Sequence, residues 1–159
     1  MTEIEKNNRI YQEFLRIGSF FEGIEEIKFS VLLPLLRNAA FMRVTLDELQ
    51  ELINRDGVVE RYQNGANQYG IKQSAALQSY NATIRNYSST IKELYGYVPR
   101  EKTLSTSDEW NRKRMAPDEL KKLLLMEREE KERTSAAWLE KLKQAFDNMN
   151  EGENHERKI

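Results

Sequence analysis

Arg55, Arg61, Lys72, Arg85, Arg100 and Lys102 are the side chains with the clearest chemical potential in this chain. Tyr62 and Tyr69 sit among the first of them, on either side of an Asn64-Gly65 dipeptide. Guanidinium and ammonium groups make charge-assisted hydrogen bonds to phosphate oxygens, and a tyrosine hydroxyl adds a neutral one. Residues 54–103 carry seven basic and four acidic side chains, so this is the only net-positive region of a chain whose overall charge is −1. A single patch of that size binds a polyanion weakly, because affinity grows with the number of phosphates neutralised. Repetition of the patch around an oligomer sums the effect. A compact second cluster, Arg112-Lys113-Arg114, is diluted by Asp108 and Glu109.

The sequence offers little to catalysis. It has no cysteine and one histidine, His155, in a polar tail, so thiol chemistry and two-histidine sites within one chain are excluded. There is no Gly-rich phosphate loop with its lysine, no Gly-x-Ser-x-Gly and no His–Glu metal motif. Glu25/Glu26 and Asp47/Glu48 are adjacent pairs that do not share one helix face, and are read as solvated surface charge. A non-enzymatic protein without metal or cofactor is expected. The N-terminus is charged and lacks an apolar signal core, and no apolar run approaches the roughly 20 residues that span a bilayer. A soluble, intracellular protein without a membrane role is therefore expected.

The elements that must position these cations are mostly helical. Residues 3–17 predict a short amphipathic helix ending near Gly18. Residues 24–55 hold the strongest helical period, with Ile24, Ile27, Val31, Leu35, Ala39, Met42, Leu46, Leu49 and Ile53 on one stripe. A second apolar stripe runs through Phe29, Leu32, Leu33, Leu36 and Ala40. A helix apolar on two faces is covered on both, and the second stripe is expected to meet another copy of the chain, with coverage by its own neighbours as the alternative. Pro34 predicts a kink, and Thr45 with Glu48 matches a capping box at which the helix could restart. Gly57 then suits the helix stop.

Residues 58–72 predict a small hairpin around Asn64-Gly65. Two strands alone are marginal, so this hairpin is expected to pack on a helix or on a neighbouring chain. Residues 74–95 predict a helix capped by Ser74, with Leu77, Tyr80, Ile84, Tyr87, Ile91 and Leu94 on its apolar stripe, ended by Gly96 and Pro99. Residues 104–116 read as a linker, residues 117–150 as a long charged helix, and residues 151–159 as a disordered tail. Trp138 and Phe146 are aromatic anchors on that helix and candidates for protein contact. The fold expected is all-α: a helical core over residues 1–103 with a long kinked central helix and a small β-hairpin, followed by the charged C-terminal helix.

The order helix, Ile53-Asn54-Arg55-Asp56-Gly57, glycine-containing hairpin, helix, Leu94-Tyr95-Gly96-Tyr97-Val98-Pro99-Arg100 resembles the core of phage terminase small subunits over about residues 30–103. The chain departs from that pattern where Gln73-Ser74 replaces a proline at the start of the second helix, and where Val98 replaces a small residue. The resemblance implies a ring-like homo-oligomer that recognises double-stranded viral DNA at its packaging start. It implies delivery of that DNA to a large terminase subunit, which holds the ATPase and nuclease, in the cytoplasm of the infected bacterial host. A DNA-binding regulator of another kind and a helical adaptor protein are the rival readings. A helix-turn-helix regulator fits less well, because a long hairpin rather than a three- or four-residue turn separates the helices.

Overall fold

The structure is a computed structural model that describes residues 2–63, 65, 68–99, 111, 112 and 114–156, with side chains to Glu151. Among these residues there are four α-helices and one two-stranded antiparallel sheet, and the protein is all-α apart from that hairpin. The helices are α1 (Glu3–Gly18), α2 (Glu26–Asp56), α3 (Ala75–Tyr95) and α4 (Pro117–Glu156), and a short 3-10 turn covers Ser19–Phe21. The strands are β1 (Val59–Gln63) and β2 (Tyr69–Gln73). The chain forms two compact units: residues 1–17 with 25–97, and residues 18–24 with 98–159. The segment 18–24 thus groups with the C-terminal helix rather than with a 1–103 core.

In the first unit, α2 runs unbroken for 31 residues. Neither Pro34 nor Thr45 interrupts it. Pro34 cannot donate to the carbonyl of Ser30, but Pro34 and Ser30 are both exposed, so the missing bond falls on the solvent side of the helix. Thr45 does not act as a cap; its hydroxyl is buried without a hydrogen-bond partner among the described residues. Glu48, the other half of the expected box, instead binds Lys6 of α1 at 2.5 Å. Asp47 accepts from Arg9 at 2.8 Å and from Arg43 at 2.7 Å. These pairs fasten α1 along the C-terminal half of α2, so Asp47 and Glu48 are not the free surface charge that their adjacency suggested.

The two apolar stripes of α2 compete for the interior, and the subunit interface expected on the second stripe is not where the structure leaves room for one. Phe29, Leu32, Leu36 and Ala40 are buried inside the chain and Leu33 is half-buried. The first stripe is open over the N-terminal half of the helix, with Ile27 80% and Val31 56% exposed. Over that half Phe29, Leu32 and Leu36 turn inward and remove the larger apolar area from water, while Ala39 and Leu46 of the first stripe are buried further along. By length and composition α2 is also apolar enough to cross a membrane, contrary to the expectation that no segment is. A core helix passes the same test, and seven of its side chains are buried within the protein.

The apolar stripe of α3 lies against α2, with Leu94 fully buried and Ile84, Tyr87 and Ile91 half-buried. Ser74 caps α3 as expected: it is buried and its hydroxyl accepts from the Leu77 N–H. Gly57 ends α2 with φ 89° and ψ 176°, and its N–H bonds the Ile53 carbonyl. That backbone conformation is essentially restricted to glycine.

In the second unit, α4 packs on the 3-10 turn. Trp138 Nε1 donates to the Gly18 carbonyl at 3.0 Å, and the Ser135 hydroxyl donates to the Glu22 carboxylate at 2.9 Å. Leu142 and Phe146 are buried. The aromatic anchors expected to meet a partner are therefore used within the chain. The helix continues past Asn150 to Glu156, where a disordered tail was expected. Extension of a formed helix needs only one more residue ordered per hydrogen bond.

Candidate nucleic-acid interface

The hairpin stands between α2 and α3 and is anchored at its base. The Ser74 N–H bonds the Val58 carbonyl at 3.0 Å, and Glu60 accepts from the Ala75 N–H, also at 3.0 Å. Beyond the base both faces are open: Val59, Arg61, Gln63, Tyr69, Ile71 and Lys72 are all exposed. The expectation that it packs on a helix of the same chain is not met along its length. The register pairs Glu60 with Lys72, Arg61 with Ile71 and Tyr62 with Gly70. Alternation then puts Arg61 on one face, between Val59 and Gln63 and opposite Ile71, and puts Lys72 on the other face beside Glu60 and Tyr62.

Gly70 has a packing reason to be glycine. The Tyr62 ring lies across it, and a Cβ added there would stand 2.6 Å from ring atoms. Tyr62 thereby covers the bare backbone of the opposite strand. Gly65 has φ 84°, but the register closes at Gln63–Tyr69, so five residues connect the strands in place of the tight turn expected at Asn64-Gly65.

The candidate cations differ in how far they are committed within the chain. Arg55 forks onto its neighbour Asp56 with two hydrogen bonds of 2.7 Å, and both residues are exposed. That pairing holds the Asp56 carboxyl below the usual carboxylate range and raises Arg55. Lys72 lies 3.6 Å from the Glu60 carboxylate. Arg61 and Arg85 are exposed and make no ion pair or side-chain hydrogen bond among the described residues. Arg100 and Lys102 lie outside the described residues. The structure therefore brings Arg61 and Lys72 onto one hairpin, on opposite faces, and places Arg85 on the exposed side of α3.

One signal escaped the reading by motifs. None of the chain's 26 acidic residues falls between Arg61 and Lys92. That run covers most of β1, all of β2 and nearly all of α3. Counting charge over fixed segments hid it, because Asp56, Glu60, Glu93 and Glu101 crowd its two ends. Within the run, a depression of about 490 Å³ is lined by Gln73, Gln78, Asn81, Ile84 and Arg85.

A second depression, of about 560 Å³, lies along α1 and α2 and is lined by Arg9, Glu13, Arg16, Arg43 and Asp47 with their neighbours. Each of its three arginines is paired with one of its two carboxylates, Arg9 and Arg43 with Asp47 and Arg16 with Glu13. Arg16 binds Glu13 through two hydrogen bonds, holding the Glu13 carboxyl below the usual range. Burial pushes the nearby Tyr87 hydroxyl up. This is a structural network that joins the first unit rather than an open anion site.

A scan against protein-family models, a search of curated proteins and a search of solved structures each return no match to the chain.

Proposed function

We propose that this protein is the small subunit of a phage DNA-packaging terminase. It binds double-stranded viral DNA, assembles with copies of itself, and presents the DNA to a large subunit that performs ATP hydrolysis and cleavage in the infected bacterial host. It is not itself a catalyst. The observation that carries this reading is the acid-free run from Arg61 to Lys92, folded into an exposed hairpin and the outer side of α3. Carboxylates repel phosphates, and this run has none in a chain otherwise dense in them. The element order quoted for the family resemblance accompanies it.

Duplex DNA binding together with the native mass tests the reading. The expected result is an assembly well above a dimer whose affinity for duplex DNA falls steeply with salt. A monomer at micromolar concentration that leaves DNA unbound at low salt overturns it. That second outcome favours a helical adaptor, the reading to which the Arg55–Asp56 and Lys72–Glu60 pairs lend support, because they neutralise two of the six candidate cations within the chain.

A further inference from the structure

We infer that the outer face of α3 reads base edges in the major groove of duplex DNA, with Gln78, Asn81 and Arg85 as the side chains that set sequence preference. This rests on the reading of the protein as a duplex-DNA binder and deepens it. Cations alone hold DNA of any sequence; amides and a guanidinium aimed at base edges distinguish sequences.

Heptad spacing sets Gln78, Arg85 and Lys92 on one line of the helix, away from the stripe of Tyr80, Ile84, Tyr87 and Ile91 that faces α2. Asn81 flanks that line on one side. Ala82 and Ser89 flank it on the other and are small, so the helix backbone can approach a groove closely. All six of these outer residues are exposed. An α-helix is about 10–12 Å across with its side chains and the major groove of B-DNA about 12 Å wide. Packing against α2 supplies the rigid support that base readout needs.

The side chains available match the chemistry of base edges. Asn and Gln make bidentate bonds to adenine N6 and N7, and Arg to guanine O6 and N7. Asn81 and Arg85 make no side-chain hydrogen bond or ion pair among the described residues. Gln78 uses one Nε2 hydrogen on the Gln73 carbonyl at 3.3 Å, leaving its other hydrogen and its carbonyl oxygen. The nearest flanking acids are Glu60, already engaged by the Ala75 N–H and Lys72, and Glu93, one residue beyond Lys92. Lys92 is suited to a phosphate at the groove edge. Duplex RNA does not fit, because its major groove is too deep and narrow for side chains to read.

The experiment uses the full-length protein and a pool of DNA duplexes with a randomised centre, selected at low salt. The selected duplex and a scrambled one are then titrated. Wild-type protein is expected to prefer the selected duplex. Asn81→Ala and Gln78→Ala should each reduce that preference by roughly tenfold while leaving affinity for the scrambled duplex in place. Lys92→Ala should weaken both duplexes alike and reduce the salt slope by about one. Unchanged circular dichroism would establish that these exposed substitutions leave the helices intact. Equal binding to all sequences, or a preference that survives Asn81→Ala, Gln78→Ala and Arg85→Ala, overturns the inference and leaves the DNA-binding reading standing. Competition by duplex RNA as strong as by the selected DNA also overturns it. Failure to bind any duplex at low salt overturns both.

Discussion

At the scale of single residues, exposure and pairing separate cations that look alike in sequence. Arg55 and Arg61 both flank Gly57 at short distance, yet Arg55 is held by Asp56 while Arg61 is uncommitted among the described residues. Arg61→Ala is therefore expected to weaken duplex DNA binding and to lower the salt slope by about one, the signature of one lost phosphate contact. Arg55→Ala should do less, since its charge is already offset. Parallel titrations at several salt concentrations compare the two, and an equal loss from both would contradict the distinction. Glu13 allows a pH prediction. Its folded-state pKa is depressed by the Arg16 hydrogen bonds, so its stabilisation is fully present above its unfolded pKa, about 4.3, and is lost as pH falls through the folded value. For a pair this close to the surface the magnitude is about 0.5–1 kcal/mol. Glu13→Gln should lower stability at pH 7 by that amount and leave it nearly unchanged at pH 2, measured by urea unfolding at both pH values.

At the scale of elements, glycines do two different jobs in the joint that carries the hairpin. Gly57 takes a positive φ with open space around it, so a Cβ there meets no neighbour but strains the backbone. Gly57→Ala should cost about 1–3 kcal/mol, seen as a lower urea midpoint with an unchanged slope. Gly70 presents the reverse case: no positive φ, but a ring in the way. Gly70→Ala is expected to swing the partly exposed Tyr62 ring outward rather than unfold the chain, shifting the Tyr62 ring resonances in NMR while global stability changes little. A loss as large as that of Gly57→Ala would mean that Tyr62 is rigidly held. The hairpin's open faces also bear on assembly. Val59, Tyr69 and Ile71 are 53%, 76% and 69% exposed on a two-stranded sheet that is marginal alone.

At the scale of the whole molecule, the small size of the buried core and the apolar residues left open at Ile27, Val31 and along the hairpin make self-association the central question. If assembly covers them, the melting temperature should rise with protein concentration, since association stabilises the folded state by mass action. A melting temperature independent of concentration over a hundredfold range, with a monomeric mass, would contradict assembly. Truncation at Met115 is expected to act within the chain. Trp138 holds Gly18, and the 3-10 turn with its buried Phe21 packs on α4. Removal of α4 should therefore lower stability and expose Phe21, instead of merely removing an outside contact. Greater binding of a hydrophobic dye, with a lower melting temperature, would report that.

The sequence alone determined the elements, because their signals are local. Apolar spacing, the Ser74 cap and the Gly57 and Gly96 stops act within a few residues of themselves, and each element appears close to its expected bounds. It also contained the acid-free run from Arg61 to Lys92, legible by simple inspection once whole elements rather than fixed segments are counted. Only the tertiary structure decided which stripe of α2 faces inward, because both are apolar and the choice depends on the total area each buries against the rest of the chain. It decided that Asp47 and Glu48 meet Lys6 and Arg9 across some forty positions of sequence, a pairing that no local pattern encodes. Strand register, a consequence of how two segments align, set Arg61 and Lys72 on opposite faces. Long-range packing likewise turned Trp138 and Phe146 from outward anchors into internal ones.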